Sequence, residues 1–358
     1  MTQSNTADAL LLPTEMESAI RSAIHAAERI LCVSHVSPDG DAIGSLLGMG
    51  WILRHVGKQP TLALADKPAR DFDYIPGYDS IVGADQVKDA YDLIICLDAS
   101  SQDRMGDIYR PAAHSQIPLL VIDHHITNTN FGSLNWVQPK CAAVCQMLVY
   151  LADALGAPLE GNLAIALLTG LITDTLGFRT SNTDAAVLQA AMRLTAGGAS
   201  IHQIVARTLN SRTFSGMRLW GDVLSETKLE GRVIWATVSQ AQRKAAHAQD
   251  SDGEGLSGFL ISAQEADISA TFIERTDRAG ETVVECSFRA KPGFDVSEVA
   301  LGYGGGGHPP AAGCTLAGDL QTVAADVVAA LRQARQTQAG KQQRERQLAR
   351  REELFANG

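Results

Sequence analysis

The stretch "HVSPDGD" places His35, Asp39 and Asp41 within seven residues, with Pro38 and Gly40 among them. Three further sites carry the same residue types. Asp98 follows the apolar run "IICL", Asp123, His124 and His125 follow "LLVI", and Asp174 ends "GLIT". A single Asp after a strand is commonly a cap for the next helix. Asp or His at one strand end after another is harder to assign to capping. If Asp39, Asp41, Asp98 and Asp174 converge, four like charges share one site and cannot all stay ionised without compensation. No Lys in these motifs supplies it. Two divalent cations would, with His35 and His124 as neutral ligands. Mixed oxygen and imidazole donors suit Mn²⁺ better than Mg²⁺, with Co²⁺ or Zn²⁺ as replacements. Two such cations with open coordination positions are a device for hydrolysing phosphate esters.

Something must bring those ends together. "RILCVS", "PTLALA", "DLIICL" and "PLLVI" read as continuous apolar strands separated by helices, which indicates a parallel sheet covered on both faces. Ligands of such sheets bind beyond the carboxyl ends of the strands. Pro38 and Gly40 argue against a continuous helix through the first motif, so a strand-to-helix loop is expected, with the helix running from about Asp41 to Val56. "AAVCQMLVYLADAL" and "NLAIALLTGLITDT" read as buried helices.

The expected fold class is α/β: an N-terminal parallel-sheet domain over residues 1–190, a helical linker over 191–216, a smaller mixed α/β domain over 217–335 and a polar tail over 336–358. In the second domain "GRVIWATVS", "DISATFIER" and "TVVECSFRA" read as strands, and "GYGGGGHPPAAGC" as a glycine-rich loop. Its run Gly304–Gly307 exposes backbone N–H groups to which a phosphate or base can come close. Arg179, just past Asp174, is a candidate phosphate contact.

A formal net charge of −10 argues against a protein that coats long nucleic acid but leaves room for a small anionic substrate. The six cysteines contain no CxxC pair and suit buried, reduced thiols in a cytoplasmic protein, with Cys141 and Cys145 as helix-packing residues. No apolar run is long enough to span a membrane. "MTQSNTADALLLP" lacks the basic start and apolar core of a secretory signal. The tail "KQQRERQLARREE" reads as a solvated helix or frayed extension.

"HVSPDGDAIGS", "LDAS", "IDHH" and "TDTLGFRTSNT" resemble the successive motifs of the DHH phosphoesterase superfamily, and "GGGGHPPAAG" resembles the signature of its associated DHHA1 domain. The resemblance spans about residues 20–330, and length and domain content most resemble the branch acting on very short RNA and 3′-phosphoadenosine 5′-phosphate. It implies that His35 and Asp39 hold one cation, that Asp41, His124 and Asp174 hold the other, and that Asp98 bridges them. His125 would be no ligand but would stabilise charge and protonate the leaving group, and Asp123 would orient a histidine. Arg289, Gly305, Gly306, Gly307 and His308 would bind the far phosphate or terminal nucleotide. Many relatives carry a basic residue where this chain has Pro309 and Pro310, which leaves the preferred nucleotide class open.

The expected partner is a short RNA or nucleotide substrate, without a membrane, and a homodimer is left open. Hydrolysis of cyclic or linear dinucleotides such as c-di-AMP or pApA is an alternative activity. Inorganic pyrophosphatases share the N-terminal motifs but carry a different C-terminal domain. An inactive nucleotide-binding regulator fits poorly with a complete ligand set.

Overall fold

The computed structural model describes residues 11–88, 90–277 and 280–356, without the side chains of 342 and 345–356. The first ten residues, where most of the segment unlike a secretory signal falls, and the last two of the expected tail lie outside the described residues. Two compact units divide between Ser211 and Arg212.

The first unit is built on six parallel strands: β1 (Ile30–Val33), β2 (Thr61–Ala63), β3 (Ile81–Val82), β4 (Leu93–Leu97), β5 (Leu119–Asp123) and β6 (Leu134–Val137). Their order is β3-β2-β1-β4-β5-β6. The central strands are buried on both sides, which is why they read as unbroken apolar runs. Ile30, Cys32, Ile95 and Leu120 face the helices Gly40–His55, Val144–Leu155 and Gly161–Asp174, while Leu31, Val33, Ile94 and Val121 face Met105 and Ile108 on the other side. β1, β4 and β5 lie side by side, so the residues that follow them emerge at one edge.

One helix pair brings two more donors to that edge. Gly40, Gly44 and Gly48 recur every four residues on the Gly40–His55 helix and form a side-chain-free ridge. Against it lie Thr173, the Ala166 carbonyl and Leu167 of the Gly161–Asp174 helix. A Cβ on Gly44 would stand 2.6 Å from that carbonyl, and one on Gly40 would strike the Thr173 side chain. The helices therefore pack backbone to backbone, with Asp41 at the start of one and Asp174 at the end of the other. Most of the stretch expected as a linker, 191–211, belongs to this unit: the helices Ala185–Ala196 and Ile201–Arg207 give Leu194 and Ile204 to its core.

The second unit holds a mixed sheet in the order β11-β12-β10-β9-β8-β7, from β7 (Lys228–Glu230), β8 (Val233–Val238), β9 (Ile268–Thr276), β10 (Thr282–Ala290), β11 (Gly306–His308) and β12 (Ala311–Ala317). Only β8 and β9 pair in parallel. Phe272, Cys286 and Phe288 pack on the long helix Leu320–Ala356 through Val327 and Leu331. That helix runs without a break across the expected start of the tail, and the Gln338 side chain bonds to the Asp295 carbonyl at 2.9 Å. The glycine-rich segment is less of a loop than expected, because Gly306–His308 forms the edge strand β11.

Candidate metal centre

The loop after β1 carries His35 and ends at Asp39, which N-caps the Gly40–His55 helix by accepting the amides of Asp41 and Ala42, each at 3.0 Å. Asp98 follows β4 in a left-handed conformation, φ 57°, an unusual state for a residue with a side chain. Its carboxylate is buried and faces two ways. Oδ2 stands 3.6 Å from His35 Nε2, and Oδ1 stands 3.6 Å from His124 Nε2. His35 Nε2 also lies 3.8 Å from Asp39, and His124 Nε2 lies 3.7 Å from Asp174. Ligand atoms of His35, Asp39 and Asp98 fall within 4.8 Å of one another, as do those of Asp41, His124 and Asp174.

The donor chemistry fits divalent cations. His35 Nδ1 is 2.8 Å from the Val36 carbonyl and His124 Nδ1 is 3.2 Å from the Cys141 carbonyl. In the neutral ring, donation there leaves the Nε2 lone pair toward the carboxylates, the arrangement a metal-binding histidine needs. Asp98 Oδ1 is buried without a hydrogen-bond partner among the described residues. A buried carboxylate oxygen lacking a donor is costly unless a cation meets it. Arg104 Nη2 approaches His35 Nδ1 at 3.2 Å, where a ring already donating to Val36 cannot accept it.

The charges register the crowding. Burial, then repulsion from Asp98, pushes the Asp41 carboxyl up to about 8. Burial and then Asp41, Asp39 and Asp98 push Asp174 well above the carboxylate range. Burial alone would lower His35, but attraction to the carboxylates of Asp39 and then Asp98 outweighs it and raises the ring to about 11. His124 is lowered, chiefly by burial.

His125 sits differently. Its Nδ1 is 2.7 Å from Asp123 Oδ1, and although burial disfavours the charged ring, that bond raises it to about 9. A third close group, Asp98, His124 and His125, exists, but the contact with Asp123 engages the nitrogen that would take part. Asp123 thus meets His125, whereas the rings of His35 and His124 are held by backbone carbonyls. Asn128, which donates to Asp123 at 2.6 Å, was not singled out in the sequence. An Asn in a turn signals turn chemistry first. Arg179 is exposed, and its Nε donates to the Leu176 carbonyl at 2.6 Å, inside a turn where Leu176, Gly177 and Phe178 all have positive φ.

In the second unit Arg289 and His308 are both register partners of Ala311, so the three side chains share one sheet face. The neighbouring row on that face is Ser287, Gly313 and Gly306, nearly bare of side chains. A Cβ on Gly306 would meet nothing, whereas one on Gly305 or Gly307 would collide with β12. Gly306 therefore leaves an open floor, and Gly305 and Gly307 are needed for strand packing. Arg289 is half-buried with Nη1 on the Phe288 carbonyl at 2.8 Å, and burial pulls its guanidinium below the usual range.

Comparison with known proteins agrees with this architecture. Residues 29–171 match the DHH family, N-terminal domain. The chain is 33% identical over 305 residues to the bifunctional oligoribonuclease and PAP phosphatase NrnA of Thermus thermophilus, a match covering 85% of this chain and 89% of that protein. It is 26% identical over 318 residues to the protein of the same name from Bacillus subtilis, covering 84% and 93%. Among solved structures, an exopolyphosphatase-related protein from Bacteroides fragilis superposes with a TM-score of 0.81 at 24% identity, over 89% of this chain and 96% of that one.

Proposed function

The chain belongs to the DHH family, and from that premise we propose that it is a phosphoesterase using two divalent cations, Mn²⁺ foremost, to hydrolyse very short RNA to mononucleotides and 3′-phosphoadenosine 5′-phosphate to AMP. The relatives that span most of this chain are named for those two activities. One observation carries the reading: the two oxygens of buried Asp98 face His35 on one side and His124 on the other, joining two donor sets.

His35, Asp39 and Asp98 would hold one cation, and Asp41, His124, Asp174 and Asp98 the second. Bound there, they would neutralise phosphate charge and ease the deprotonation of water. The protein's own part is placement and proton transfer. As a water oxygen bonds to phosphorus, the bond to the ribose oxygen breaks and its electron pair stays on that oxygen. His125 gives the proton that oxygen needs, and Asp123 steadies the charged ring beforehand. The water's proton leaves to solvent. Arg289 and His308, with the open floor at Gly306, would hold the nucleotide through phosphate or base.

The test is an assay panel with Mn²⁺: ribodinucleotides, pentanucleotides, longer RNA, 3′-phosphoadenosine 5′-phosphate, cyclic dinucleotides and pyrophosphate. The shortest RNAs and 3′-phosphoadenosine 5′-phosphate should turn over fastest. Hydrolysis of pyrophosphate alone, or of nothing in the panel, overturns the proposal.

A further inference from the structure

Asn128 uses its whole side chain on the site. Nδ2 donates to Asp123 Oδ2 at 2.6 Å and to the Ala99 carbonyl at 3.1 Å, while Oδ1 accepts the Asn130 amide at 2.7 Å. Three partners of fixed polarity settle which end of the amide is nitrogen. Asp123 is fully buried, and its other oxygen meets His125 Nδ1 at 2.7 Å. Ala99 directly follows Asp98, and the next residue is tied to the same turn, Thr129 N donating to the Ser100 carbonyl at 2.9 Å. One amide thus joins the β4 end that carries Asp98 to the β5 end that carries His125.

We propose that Asn128 is a positioning residue for the proton donor: it holds the Asp123 carboxylate in the one orientation that aims His125 at the leaving oxygen, while it fixes the backbone beside Asp98. The proposal rests on the phosphoesterase reading above. Without the amide, Asp123 Oδ2 loses its neutral donor in a buried place, and the carboxylate is free to turn. An aspartate in its place would keep the acceptor for the Asn130 amide, and hence the turn, but would set a second charge against Asp123.

The experiment uses the full-length protein with Mn²⁺, comparing Asn128→Ala and Asn128→Asp on two substrates. A ribodinucleotide must leave as an alcohol and needs a proton. Bis-p-nitrophenyl phosphate leaves as a stable phenolate and does not. On the dinucleotide kcat should fall about ten- to hundredfold, the usual scale for losing such an outer contact, more for Asn128→Asp than for Asn128→Ala, with KM little changed. On the phenolate ester kcat should hold, and calorimetry should find the same Mn²⁺ stoichiometry as in wild type. Equal losses on both substrates, or none on either, would overturn the assignment. A wild-type protein that cleaves neither substrate overturns the phosphoesterase reading and this inference with it.

Discussion

The Asp41 carboxylate accepts the amide of Val144, 103 positions further along the chain, at 2.6 Å, and that of Cys145 at 3.0 Å. Val144 and Cys145 open the helix Val144–Leu155, whose N-cap Ala143 offers no side-chain acceptor. Asp41 therefore supplies from another helix the cap this one lacks, at the end where negative charge is favoured. Asp174 has no such second occupation among the bonds described, and it sits at a helix C-terminus, the unfavourable end.

These two carboxylates should behave oppositely once cations are chelated away. Asp41→Ala leaves two buried amides without acceptors and should destabilise the metal-free protein by about 1–3 kcal/mol. Asp174→Asn removes a carboxyl whose ionisation burial and its acidic neighbours oppose, and should leave it as stable or more so. Both should lose the second cation. Urea denaturation in excess chelator, beside calorimetric titration with Mn²⁺, checks the contrast, and equal destabilisation by both changes would contradict it.

Cation loading should release protons. An unfolded Asp ionises near 3.9, but folded Asp41 keeps its proton to about 8, and Asp174 is raised as well. Between those values the folded state binds more protons than the unfolded one, so metal-free stability should fall as pH rises from about 4 to about 8. A cation must displace the same protons. Affinity for Mn²⁺ should accordingly rise through this window. Calorimetry at pH 7 in two buffers of different ionisation enthalpy should give different apparent heats; identical heats would mean no proton is released.

The glycine ridge should be as necessary as the ligands. A Cβ at Gly44 would press on the Ala166 carbonyl, backbone that cannot turn aside. Gly44→Ala should cost about 1–3 kcal/mol as overpacking, despite the better helix propensity of Ala. By forcing apart the helices that carry Asp41 and Asp174, it should weaken the second cation more than the first. A two-site Mn²⁺ titration reads both effects, and uniform weakening would separate the ridge from the site.

What was legible in the sequence follows from locality. His35, Asp98 and His124 stand just past strands so apolar that the change to a charged residue is conspicuous. The Gly40, Gly44 and Gly48 ridge was in plain view but means something only against a partner helix whose position no local pattern gives. Gly305 and Gly307 look like loop residues in a run of four glycines until the backbone of β12 lies against them. Asp123 was expected to orient a histidine, but that the histidine is His125, and that Asn128 holds the pair, depends on a turn folding back onto Ala99. Residues 191–211 read as linker from sequence because burial of Leu194 and Ile204 is a property of the assembled core, not of the segment.

Arg289 makes the sharpest test of the second unit. A guanidinium that burial alone depresses, with one nitrogen on a backbone carbonyl and no carboxylate paired to it among the described residues, is set up to gain from an anion. It shares a face with His308 beside Gly306, where an added Cβ would meet nothing and a flat base or a phosphate has room. Arg289→Ala should raise KM for 3′-phosphoadenosine 5′-phosphate and ribodinucleotides by roughly ten- to a hundredfold, the loss of one charge-assisted pair of about 1.5–3 kcal/mol. Bis-p-nitrophenyl phosphate offers no nucleotide and should be cleaved almost as by wild type. Arg289→Lys should recover only part of the loss, because a point charge cannot reproduce a bidentate fork. A loss shared equally by the generic diester would place Arg289 in folding rather than in substrate reading.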